Sequence, residues 1–127
     1  MKIILLLISF FISSFCYSQD WKFVLESKTG IYQYKPNTDE TAWIKLIDDK
    51  IEYYPRKTSQ RLATVDGYEI SLYKFDCKSK KIGIIQVTVY SKDGKVLDTY
   101  SENELLVEMN YVTPDSIGEV LLKTFCE

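Results

Sequence analysis

The sequence contains no histidine. That excludes Ser-His-Asp and Cys-His catalytic sets, and any zinc site built on imidazole ligands. Cysteine, proline and glycine are scarce, at 3, 3 and 5 among 127 residues. The glycines stand apart at 30, 67, 83, 94 and 118, so no glycine-rich phosphate loop is present. No Cys-x-x-Cys pair occurs, which removes thioredoxin-style exchange. No Asp-x-Asp-x-Asp-Gly run marks a calcium loop. Neither sign of charge dominates: 16 basic and 18 acidic residues, a net of −2, leave no electrostatic footprint for nucleic acid. No apolar run reaches the roughly 20 residues of a membrane-spanning helix. A serine nucleophile would have only lysine as its base. The paired carboxylates Asp48-Asp49 and Glu102/Glu104 read as a strand end and a solvated loop. No catalytic residue, cofactor or metal is expected.

What is present begins with a leader. Met1-Lys2 is a short positive start, Ile3 to Ile12 is apolar apart from Ser9, and Ser13 to Ser18 leads into Gln19-Asp20. This is the layout of a Sec signal peptide, with cleavage expected after Ser18. The rival readings are a buried N-terminal element and lipid attachment at Cys16, where bulky Phe15 stands in place of the small residue a lipoprotein signal wants. Removing residues 1–18 leaves one domain, residues 19–127, with Cys77 and Cys126 as its two cysteines. In an exported chain such a pair reads as one disulfide, the alternative being two buried thiols. About 48 residues lie between them, and closing that loop would stabilise the fold by about 4 kcal/mol.

The mature chain alternates with the period of β-strands. Strands are expected at Trp21 to Glu26, Ile31 to Tyr34 and Thr41 to Asp48, the last broken by Asp48-Asp49-Lys50. Residues 51–67 read as a long polar loop, alternatively with a short hairpin in it, Pro55 and Asp66-Gly67 being among the turn signals. Tyr68 to Cys77, Ile82 to Tyr90 and Lys95 to Tyr100 form a meander with a tight turn at Asp93-Gly94. In the middle strand, Ile85, Val87 and Val89 are expected on one face, with Ile82 and Ile84 on the other beside Gln86, Thr88 and Tyr90. After Thr113-Pro114 the period changes. Ser116 and Glu119 have capping-box spacing, with Thr113 as the rival cap. Ile117, Val120, Leu121, Thr124 and Phe125 follow a helical stripe, with Leu122 and Cys126 on its flank. The expected fold is α+β: an antiparallel meander of about five to six strands, one C-terminal helix on its apolar face, and a Cys77–Cys126 staple between them.

Two stretches invite a binding role. Tyr53-Tyr54-Pro55-Arg56-Lys57, with Arg61 beyond it, sets aromatics beside basic residues, a composition found at interfaces. Lys78, Lys80 and Lys81 crowd a turn, where they could steer an anionic partner or simply keep the hairpin soluble and its edge unpaired.

Three pieces resemble the surface-adhesin protein E family of bacterial envelope proteins. They are Trp21 with the strand, Gly and Tyr strand after it; Thr41-Ala42-Trp43-Ile44-Lys45-Leu46; and Leu72-Tyr73-Lys74-Phe75-Asp76-Cys77-Lys78. The third is followed by Tyr90, Gly94 and Pro114-Asp115-Ser116-Ile117-Gly118-Glu119 running to Cys126. Met109-Asn110-Tyr111 departs from the family, which often has a Trp before the helix. The resemblance implies a helix tied to a sheet by Cys77–Cys126, an envelope or surface location, a non-catalytic role in binding host or envelope proteins, and dimer formation. The runner-up readings are a periplasmic inhibitor of an enzyme such as lysozyme and a structural envelope domain without adhesive role.

Overall fold

A computed structural model describes residues 20–56 and 60–127. The expected leader, with its cleavage site and Cys16, lies outside the described residues, as does Lys57. Six strands run in chain order: β1 (Lys22–Ser27), β2 (Gly30–Pro36), β3 (Thr41–Tyr53), β4 (Ala63–Asp76), β5 (Lys81–Ser91) and β6 (Val96–Ser101). Each pairs antiparallel with the next, so the sheet order is the sequence order. A two-residue strand, β7 (Asn110–Tyr111), pairs with the start of β5. The chain closes with one helix, α1 (Ile117–Cys126).

The main departure from the sequence reading is in residues 49–67. β3 does not stop at Asp48. It passes through a bulge between Asp48 and Ile51 and continues to Tyr53, paired with Ala63 to Gly67 of a longer β4. A bulge places extra residues on one strand without ending it, so Asp-Asp-Lys bends the strand where it was expected to break it. Asp66-Gly67 is therefore strand, not turn. Gly67 is required because a Cβ there would run into the Tyr90 carbonyl oxygen of the neighbouring strand.

A second bulge changes which side chains share a face. Leu72 pairs with Gln86 while Tyr73 pairs with Ile84, leaving Ile85 as the extra residue. Residues opposite each other across a ladder share a face. Ile82 and Ile84, opposite Phe75 and Tyr73, thus lie on the same face as Val87 and Val89, opposite Ser71 and Glu69. The strict alternation expected for β5 fails at the bulge, because one added residue reverses the parity.

Helix α1 packs on that face. Its core cluster joins Tyr34, Ala42, Ile44 and Phe75 to Leu121 and Leu122, with Ile82, Ile117 and Phe125 against it. The buried stripe is Ile117, Leu121, Leu122 and Phe125. Val120, expected inside, is 40% exposed, and the Thr124 hydroxyl donates back to the Val120 carbonyl at 2.8 Å. The helix is rotated by part of a turn relative to the predicted stripe, because the Phe75 and Phe125 rings stack at 4.4 Å and the neighbouring Cys126 is bonded to Cys77 with Cα atoms 5.9 Å apart. Ser116 is the N-cap, its hydroxyl accepting the Glu119 amide at 3.3 Å. The disulfide, the cap and the six-strand meander stand as expected.

Candidate functional site

The basic residues singled out in the sequence fall into two separate groups. Tyr53 ends β3 and is half-buried; Tyr54, Arg56 and Arg61 are exposed in the connection to β4. Lys78 and Lys80 lie in the turn after β4, and Lys81 opens β5. The two groups sit at opposite ends of β4, whose 14 residues span about 45 Å. They are not one surface. In the lysine turn, the Asp76 carboxylate accepts the amides of Lys78 and Ser79, both at 3.2 Å. The Ser79 hydroxyl and these amides hold the Asp76 carboxyl below the usual carboxylate range. Lys81 is already engaged, with its Nζ 4.5 Å from the centre of the Tyr111 ring.

The helix-free back face of the sheet carries a ladder of rings and ammonium groups. Trp21 lies under Lys35 and Lys45 at 5.9 and 5.7 Å. Lys45 also stands 4.5 Å from the Tyr68 ring, which stacks on Tyr90 at 4.8 Å. Trp21 and Trp43, two residues of the family resemblance, meet there around a shallow cavity of about 270 Å³ with Gln86 and Thr88. Each ring covers part of the apolar sheet while each ammonium keeps the surface polar, so the ladder supplies cover where no helix lies.

The three most exposed large apolar groups, Leu105, Tyr111 and Leu106, follow β6 in the chain, while Phe23 on β1, at the opposite edge of the sheet, is 65% exposed. β6 bonds to β5 on one side, and among the described residues no strand pairs with its other side. β7 lies on the same side of β5, farther along, so residues 102–109 span the gap between β6 and β7. Tyr100 is 60% exposed, Leu105 87%, Leu106 72% and Tyr111 75%. Leu105 and Leu106 belong to a 3₁₀ turn capped by Asn103, whose side chain accepts the Leu105 amide. The segment is held down at Gly83, where a Cβ would come within 2.8 Å of both the Glu108 carbonyl oxygen and the Met109 sulfur. The backbone can approach this closely only because that position is glycine.

A cavity of about 460 Å³ opens beside this edge, lined by Tyr73, Ile82, Ile84, Glu102, Glu108 and Tyr111 among others. Burial, then the nearby Glu69 carboxylate, then Tyr32, push the Tyr73 hydroxyl up to about 12. It stays protonated at neutral pH and is available as a donor. The segment that forms this edge is acidic in sequence, with the Lys81 ammonium over the Tyr111 ring as a cation beside it. Residues 96–122 include Asp98, Glu102, Glu104, Glu108, Asp115 and Glu119 and not one Lys or Arg. The sequence reading passed over this edge by treating Glu102/Glu104 as a solvated loop. The available signal was the Leu105-Leu106 pair inside a run without a positive charge. Among the described residues no group of three His, Cys, Asp or Glu could hold a metal, and no helix is long and apolar enough to cross a membrane.

No curated protein and no solved structure matches the chain. The family model for surface-adhesin protein E matches residues 46–127, which takes in β4 to β6, the acidic edge, the disulfide and the helix. That is well over half of the sequence, and the chain belongs to the surface-adhesin protein E family.

Proposed function

We propose that this chain is exported by its N-terminal leader and works as a non-catalytic cell-envelope domain that binds another protein through the β6 edge. The observation that carries the reading is the exposure of four large apolar side chains, Tyr100, Leu105, Leu106 and Tyr111, on and after an open edge strand. Monomeric surfaces rarely expose neighbouring large apolar groups without a partner for them. Membership in a surface-adhesin family supports a partner on or outside the envelope. The test is capture of native envelope and host matrix proteins by the full chain and by its Leu105→Ser/Leu106→Ser variant. Both leucines are exposed, so the variant keeps its core. Loss of capture is expected, and equal capture overturns the assignment.

Export is checked separately by the mass of the mature chain. Cleavage after Ser18 is expected, and a chain retaining residues 1–18 overturns it. A lipid-modified Cys16 at the new N-terminus would select the lipoprotein alternative.

The exposed Tyr54, Arg56 and Arg61 favour a second, independent contact at the far end of β4. Replacing Tyr54, Arg56 and Lys57 with Ala tests it by the same capture. The acidic Glu102, Glu104 and Glu108 also support the inhibitor reading, since such a loop could enter the cationic cleft of an enzyme such as lysozyme. A lysozyme inhibition assay decides that point.

A further inference from the structure

Resting on the protein-binding reading above, we propose that the β6 edge binds its partner by strand addition, and that the added segment is extended, apolar and basic. The ladder geometry fixes which backbone groups are on offer. The Glu102 amide donates to the Ile85 carbonyl at 2.8 Å, so Glu102 faces β5. By the two-residue period of a strand, the amides of Tyr100 and Asp98 face β5 as well, and those of Thr99 and Ser101 face outward. The side chains agree: Thr88 and Thr99 are opposite each other with hydroxyls 3.1 Å apart, the close approach of a pair that does not exchange backbone bonds.

The outward amide of Thr99 is occupied by its own neighbour. Its N–H donates to Asp98 Oδ1 at 2.9 Å. The carboxylate stands where the carbonyl of an added strand would accept, so it protects the edge when no partner is present. An incoming strand displaces Asp98 from that amide and gains the Thr99 and Ser101 groups for its own ladder.

The charge on the edge selects the strand. Asp98 borders the open edge, Glu102 and Glu108 line the neighbouring cavity, and no Lys or Arg occurs between residues 96 and 122. Asp98, Tyr100 and Glu102 share one face of β6, and the Tyr111 ring already carries Lys81. A segment alternating Lys or Arg with Val, Leu or Tyr would therefore set its cations toward these carboxylates with their stems over Tyr100, while its apolar residues lie on the other face beside Thr99 and Ser101. A second copy of this chain, pairing β6 with β6, would bring two acidic edges together, which like-charge repulsion opposes.

The probe is a labelled peptide of alternating Lys and Val titrated into the full chain by fluorescence anisotropy. The same peptide N-methylated at alternate residues cannot complete a ladder, and a Glu-Val peptide reverses its charge. Binding is expected to fall at least about tenfold with either control. Glu102→Gln/Glu108→Gln should weaken binding and flatten its salt dependence. Thr99→Pro should remove binding while keeping every backbone bond to β5, because its lost N–H faces outward; only the hydroxyl contact with Thr88 goes with it. Equal binding of the N-methylated peptide overturns strand addition, and equal binding of the Glu-Val peptide overturns the basic partner. Self-association of the full chain abolished by Thr99→Pro would assign the edge to a second copy and overturn the proposal. If Leu105→Ser/Leu106→Ser loses native capture while Thr99→Pro retains it, the protein-binding reading stands and strand addition alone fails.

Discussion

Removing the Cys77–Cys126 bond should cost this fold a large share of its stability and should act first on the helix. The bond joins residues 49 apart in sequence. Treating its effect as a restriction of the unfolded chain, a loop of about 50 residues loses about 14 cal/mol/K of entropy, or about 4 kcal/mol at 25 °C. Domains of this size have about 5–15 kcal/mol in total. The native contacts that remain after reduction are modest. Helix α1 has ten residues, too few to persist in water alone, and it is held by Leu121, Leu122 and the Phe75–Phe125 stack. The assay is urea unfolding of the Cys126→Ser variant, or of the reduced protein, followed by far-ultraviolet circular dichroism. With a slope of about 1–2 kcal/mol/M, the midpoint should fall by about 2–4 M. Hydrogen exchange in native buffer should show the amides of residues 119–126 losing protection before those of β3 to β5. A midpoint within about 0.3 M of the bonded protein would refute the reasoning, since the unfolded chain would then gain nothing measurable from release of the loop.

Three further outcomes follow from the packing and electrostatics. Burial pushes the Glu69 carboxyl above its ordinary value of 4.5. The folded state therefore binds its proton more tightly than the unfolded chain, and the stability this gives is present at low pH and lost as pH rises through the folded value. Glu69→Gln should raise the Tm at pH 7, with the advantage shrinking as pH falls through the raised folded value and gone below 4.5; an advantage constant with pH would contradict it. Gly67→Ala forces a methyl against the Tyr90 carbonyl and should destabilise by about 1–3 kcal/mol in urea melts, whereas a neutral result would mean the long β3–β4 ladder adjusts freely. Ser116→Ala removes the acceptor for the Glu119 amide and should cost about 1 kcal/mol, read as a drop in Tm.

Much of this fold was written in local patterns. Ile82 to Tyr90 forms a strand, Asp93-Gly94 turns, and Ser116 starts a helix, because each depends on residues close in the chain. The cysteine pair was equally legible once the expected leader, with Cys16, was set aside. Residues 49–67 were not, because Asp-Asp-Lys breaks a strand in isolation but forms a bulge when a longer partner strand runs alongside. Val120 and Leu122 exchanged roles for a related reason: a ten-residue helix offers more than one apolar stripe, and the stack on Phe75 and the bond to Cys77 choose among them.

The same division holds for the site. The amino-acid sequence by itself determined the strand-rich composition, the helix cap, the pairing of the cysteines and the absence of any histidine-based chemistry, since these follow from residue type and short spacing. Only the tertiary structure decided that Lys78, Lys80 and Lys81 are far from Arg56 and Arg61, and that Leu105 and Leu106 stand exposed at an open, acidic edge. Which strand ends meet, and which edge stays unpaired, is set by ladder register across the whole sheet. A β-strand's neighbours are distant in sequence, so no local pattern carries that information.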